Sequence, residues 1–203
     1  MIRKLNRGMA LIGLVALLLS AGPLTVAAMA QDAKPDAEQA IETMIKAIKE
    51  DNAPIRNRMF FRLRDIGEPS VDPLIASYAA NSELPVRQYI INMLGWVGGE
   101  KAYGFISEKL ADKRPEIRQK SAEALCTIDD ERGIPLLIGA LDDADEDVRI
   151  AAIVSLGVME DPRAIEPLKK KLNDSSSRVS KFAENYLELL AITYPEAETK
   201  AGS

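Results

Sequence analysis

Four arginines recur at a fixed interval: Arg56, Arg87, Arg118 and Arg149, each 31 residues after the last. A row of guanidiniums could hold phosphates or carboxylates. Six residues before each stands Glu50, Asn81, Asp112 or Asp143. The two columns repeat together, as a ladder of Arg–acid contacts joining successive repeats would, so the row reads as structural. A second cluster, Asp142, Asp143, Asp145, Glu146 and Asp147, concentrates carboxylates in one short run. A calcium loop would need a glycine at its sharp turn and a closing bidentate acid, and neither is present. Acids at a helix start are favoured by the helix dipole instead. Cys126 shares a column with Gly95 and Gly157, which predicts a small residue buried at a close helix approach rather than a reactive thiol. Lys169, Lys170 and Lys171 read as a solvated face near a helix C-terminus.

The chain has no histidine, so general-base or metal chemistry through an imidazole is excluded. A single cysteine excludes an intrachain disulfide and any Cys-rich metal site. No nucleophile–base pair or phosphate loop stands out, and no catalytic, metal or cofactor residue is assigned. The informative departure lies in the second copy of the repeat. Tyr89, Met93 and Trp96 fill columns that are mostly polar or small elsewhere: Arg58, Lys120 and Ala151; Arg62, Ala124 and Ser155; Asp65, Thr127 and Val158. Their i, i+4, i+7 spacing places them on one helix face, and an aromatic patch of this kind anchors protein interfaces. These three residues are the candidate partner-binding site; the alternative is that the stripe widens the packing between this helix and its neighbours.

The elements that carry these residues follow from the same period. Leu63, Leu94, Leu125 and Leu156 form one apolar column, and Ile55, Val86, Ile117 and Val148 another. A gapless period held through four copies is the mark of a stacked repeat. Each copy reads helix, tight turn, helix. In the fourth, the first helix runs from about Glu146 to Val158, with Val148, Ala152, Ile153, Leu156 and Met159 turned inward. Asp161 then caps a second helix that starts at Pro162 and buries Ile165, Leu168 and Leu172. Gly67, Gly98-Gly99 and Asp129-Asp130 break the earlier copies. Residues 37–50 repeat the second-helix pattern and cap one end. Residues 177–194 match a first helix, with Ser180 in place of the arginine, and cap the other. The expected fold is an all-α solenoid of about four helical hairpins with half-repeat caps, ten helices over residues 36–194.

Residues 1–30 read as a signal peptide: Arg3, Lys4 and Arg7, an apolar run from Met9 to Leu19, and an Ala28-Met29-Ala30 cleavage site. The alternative is an uncleaved membrane anchor, against which the apolar run counts because it is shorter than the roughly 20 residues of a membrane span. Residues 31–35 read as a flexible lead and 195–203 as a disordered tail. Removing the leader takes three basic residues from a chain of net charge −5 and leaves −8. An acidic exported protein is a poor ligand for nucleic acid or anionic membrane.

The columns V/I-R-x-x-A-x-x-A-L-G and D-P-x-A-I-x-P-L-x-x-x-L, best seen in VRIAAIVSLG and DPRAIEPLKKKL of the fourth copy, resemble the HEAT-like repeats of the short class named after phycobilisome lyases. The resemblance covers about residues 36–194. It implies an α-solenoid that serves mostly as a protein-binding scaffold and only occasionally as an enzyme. Chromophore lyases built this way act inside the cell, against which the leader argues. Deoxyhypusine hydroxylase looks to hold two irons on paired His-Glu motifs, and this chain has no histidine for them. The expected function is an exported, non-enzymatic scaffold for a protein or peptide partner. The alternative is an accessory enzyme or chromophore-handling protein of the phycobilin-lyase type.

Overall fold

The computed structural model describes residues 36–193. The leader, the 31–35 lead and the 195–203 tail lie outside the described residues. Those from Ala37 onward form one compact unit. Ten α-helices succeed one another among the described residues: α1 Ala37–Lys49, α2 Ala53–Ile66, α3 Val71–Ala80, α4 Leu84–Val97, α5 Glu100–Lys109, α6 Pro115–Ile128, α7 Gly133–Ala140, α8 Glu146–Val158, α9 Ile165–Lys171 and α10 Ser177–Thr193. No strand occurs among the described residues. The fold is the expected all-α solenoid: four hairpins, α2/α3 to α8/α9, between the half-repeats α1 and α10.

Asn52 accepts from the Ile55 backbone N–H at 3.2 Å and Pro54 occupies the first turn of α2. Asp145 accepts from Asp147 and Val148 at the start of α8. Asp161 accepts from Arg163, but the first turn after it, Pro162–Ala164, is a 3₁₀ turn and α9 proper begins at Ile165. Each first helix ends on a left-handed residue in one column: Gly67 (φ 71°), Gly98 (φ 71°), Asp129 (φ 57°) and Glu160 (φ 49°). Glycine takes that conformation without a Cβ penalty; the third and fourth copies hold it with acids.

Packing has two directions. Within a hairpin, the leucine column is sealed: Leu63, Leu94 and Leu156 are 0% exposed and Leu125 1%. Between hairpins, each first helix lies against the next, from α2 through α4, α6 and α8 to α10. A Cβ built on Gly95 would stand 3.1 Å from that of Ala124, and one on Gly157 only 1.8 Å from the Tyr186 ring. Ser155 Oγ donates to the Ala122 carbonyl at 3.0 Å across the same seam. A helix of this length is marginal alone, so its stability comes from these neighbours. Among the described residues no helix is long and apolar enough to cross a membrane.

Candidate functional site

The arginine column divides into two behaviours. Arg118 forks onto Asp143, with Nε and Nη2 each 2.7 Å from a carboxylate oxygen, and its Nη1 donates to the Asp112 carbonyl at 3.0 Å. Arg149 repeats the pattern without the fork: Nη1 donates to the Asp143 carbonyl at 2.8 Å and Nη2 to Asp174 Oδ1 at 2.8 Å. Each guanidinium thus closes its own turn through a carbonyl six residues back and ties to the next repeat through a carboxylate 25 residues on. Burial alone would raise the Asp143 and Asp174 carboxyls, but hydrogen bonds from Arg118 and Arg149 and from the Asp145 and Ser176 N–H groups outweigh it and hold both below the usual carboxylate range.

The first two arginines lack that second tie. Asn81 stands where Arg56 would find its acid, and Asp112, where Arg87 would, accepts from Arg114 N–H and Nε instead. Arg87 keeps the carbonyl of Asn81 at 2.5 Å and lies over the Tyr78 ring at 4.8 Å. Arg56 lies 3.7 Å from the exposed Asp51 carboxylate and 5.9 Å from the centre of the Tyr89 ring. In the last column Ser180 Oγ takes up the Asp174 carbonyl at 3.4 Å.

The five acids of 142–147 are all engaged within the chain. Asp142 meets Lys171 at 2.6 Å, Asp143 meets Arg118, Asp145 caps α8, Glu146 meets Ser176 and Arg178, and Asp147 meets Arg178 at 3.1 Å. The lysine triplet is not one solvated face: Lys171 reaches Asp142, Lys169 pairs with Glu166, and Lys170 alone points to solvent without an ion pair among the described residues. Cys126 is half-buried rather than fully enclosed, and burial, with Asp129 adding to it, pushes its thiol pKa up, away from the reactive thiolate.

The three residues of the expected binding stripe part company. Trp96 is half exposed, at 50%. Tyr89 is half-buried, its hydroxyl pKa raised by burial. Met93 is 0% exposed and does not belong to any contact face. It occupies the column of Ala124, Ser155 and Tyr186, the one that meets the preceding first helix at Gly95 and Gly157. The stripe therefore reduces to Trp96 at the surface, with Tyr89 half-buried two turns earlier on the same helix.

Two residues not singled out in the sequence complete the surface. Phe61 on α2 is 52% exposed, and Phe60 is half-buried beneath it. Phe60 contacts Trp96 edge-on at 5.8 Å between ring centres and Phe61 at 5.6 Å. Arg64 lies over Phe61 at 5.1 Å. A run of three rings thus spans two helices, with both outer rings in solvent. The signal was there to read: Phe61 stands in a column filled by Asn92, Glu123, Val154 and Asn185. Farther along the stack, Val158 and Leu189 share the Trp96 column and are also exposed.

Residues 104–188 match the HEAT repeats family. Among solved structures, a human deoxyhypusine hydroxylase in complex with glycerol superposes with a TM-score of 0.56 at 26% identity. The match covers 63% of this chain and 46% of the hydroxylase, so it spans about half the length of that protein. The complex of CpcE and CpcF of phycocyanin lyase from Nostoc sp. superposes with a TM-score of 0.60 at 20% identity, over 72% of this chain and 97% of that one. At that identity the likeness is one of fold. No curated protein matches the chain in sequence.

Proposed function

We propose that this chain, a HEAT-like repeat solenoid, is an exported non-enzymatic scaffold that binds another protein or peptide. One observation carries the reading: Trp96 and Phe61, joined through Phe60, present a contiguous aromatic surface on the first two hairpins. Large aromatics half in water gain most when a partner covers them, and such residues dominate interface energetics. The polar groups whose spacing suggested chemistry are meanwhile engaged in holding the stack, as Arg118, Arg149 and the 142–147 acids are. Export rests on the basic, apolar and Ala28-Met29-Ala30 segments of the leader.

The test is capture by crosslinking in the exported fraction, followed by reconstitution with the purified candidate. A partner that re-forms a stoichiometric complex with the purified chain supports the reading. A chromophore or cofactor that copurifies in stoichiometric amount, or failure of every captured protein to reconstitute, overturns it.

A further inference from the structure

The helix that carries Phe61 is also the most basic element among the described residues of an acidic chain. The whole sequence has 31 acids against 26 bases. Helix α2 sets Arg56, Arg58, Arg62 and Arg64 against Asp65 alone. No other first helix does this: α4 has Arg87 as its one charge, α6 and α10 are balanced, and α8 has two acids to one arginine. Two of these arginines, Arg58 and Arg64, are not spent as in the later repeats. Arg118 and Arg149 each own a carboxylate; Arg58 is exposed with no ion pair among the described residues, and Arg64 rests on a ring, which uses none of its N–H donors.

Charge and rings occupy the same surface. Arg58 and Phe61 are one helical turn apart, Arg64 stacks on Phe61, and Phe60 links both to Trp96 on the adjacent helix. We propose that this outer face of α2 and α4 docks an acidic segment of a partner protein that carries an apolar anchor residue. The anchor sits against Trp96 and Phe61, and flanking carboxylates accept from Arg58 and Arg64. A guanidinium matches a carboxylate with two parallel N–H donors, and opposite charge speeds encounter and rejects basic segments. The net negative charge of the rest of the chain disfavours a polyanion long enough to leave this patch, so a short acidic segment fits better than a nucleic acid. The proposal rests on the scaffold reading and adds the basic flank of its aromatic surface and the chemistry of its partner.

The experiment displays a random peptide library against the full chain and titrates enriched, tryptophan-free peptides against it. Trp96 is the one indole and reports directly. Expected are peptides with Asp and Glu flanking Phe, Leu or Met, a blue shift of Trp96 emission on binding, and weaker binding at higher salt. Trp96→Ala should weaken binding about thirtyfold, the scale of an interface hot spot. Arg58→Glu with Arg64→Glu should weaken it about tenfold or more, with an unchanged melting curve, since both side chains are exposed. That pair tests the site independently of any packing role of Trp96. Enrichment of basic or uncharged peptides overturns the proposal. So does binding that survives the charge reversal, which leaves the scaffold reading standing with a different site. Self-association lost in Trp96→Ala would make a second copy the occupant and also overturn it. No enrichment in any condition overturns the proposal and, if crosslinking also yields no partner, the scaffold reading with it.

Discussion

Replacing Arg149 with methionine should reveal how much of the stack hangs on one inter-repeat tie. The side chain is 10% exposed and makes three hydrogen bonds, to the Asp143 and Ala144 carbonyls at 2.8 and 3.2 Å and to Asp174 at 2.8 Å. Methionine keeps much of the apolar stem but deserts a carboxylate that is itself only 7% exposed. Breaking one member of a buried pair costs about 3–5 kcal/mol. Here the loss should fall at the low end, about 3 kcal/mol, because Asp174 keeps the Ser176 N–H at 3.0 Å and has Lys171 at 3.8 Å. Arg87→Met is the internal control. Arg87 has the Asn81 carbonyl and the Tyr78 ring but no carboxylate, so its loss should be about 1–2 kcal/mol. Urea unfolding followed by circular dichroism gives both values. Adding Asp174→Asn to Arg149→Met should recover part of the loss, since the stranded charge is removed; the cycle isolates the coupling. Equal losses for Arg149→Met and Arg87→Met, or no recovery in the double variant, would refute the claim that the carboxylate 25 residues on is what the arginine column serves.

Three further outcomes are expected. Gly157→Ala should destabilise the end of the array by about 2 kcal/mol or more, because its Cβ would stand 1.8 Å from the Tyr186 ring and force α10 off α8; an unchanged melt would show that α10 is not seated there. Asp143 and Asp174 have folded pKa values below their unfolded ones, so their contribution is present above the unfolded value of about 3.9 and is lost as pH falls through the folded values. The melting temperature should drop steeply below about pH 4, and Asp174→Asn, less stable at neutral pH, should show a shallower drop; parallel curves would exclude these carboxylates. Intact-mass measurement of the exported protein should show a chain beginning at Gln31, and one still beginning at Met1 would refute cleavage after Ala30.

The architecture was legible in the sequence because a stacked repeat writes the same physical demand at a fixed interval. Leucine, glycine and turn columns can be read against each other, and chance does not keep them in phase through four copies. Pairing across repeats was less legible. An acid six residues before an arginine is equally 25 residues after the previous one, so column spacing cannot separate a contact inside a turn from one to the next repeat. The structure uses both, with the carbonyl at one interval and the carboxylate at the other. Met93 shows a different limit. A helical stripe next to the core stripe reads as surface on an isolated amphipathic helix, but a first helix inside a solenoid is covered on three sides. Its partner helix takes one, and the flanking first helices take two more. Positions 93 and 95 lie about 200° apart around the helix, which is why one column can face the preceding helix while the other faces the next. The small residues Gly95, Cys126 and Gly157 marked that second seam, and Ala124 and Ser155, the counterparts of Met93, marked its other wall. Only the first two repeats lie outside this logic. Asn81 and Arg114 disrupt the ladder there, and Phe60, Phe61 and Trp96 bring in bulk that the seam does not require, with Phe61 and Trp96 left in water. Stacking accounts for Met93, which is covered, and for the half-buried Phe60, whose column holds Ile91, Ala122 and Ile153; it does not account for an aromatic ring half in solvent on each of two adjacent helices beside Arg58. That difference is the physical ground for looking to α2 and α4, rather than to the better-matched repeats, for what the solenoid holds.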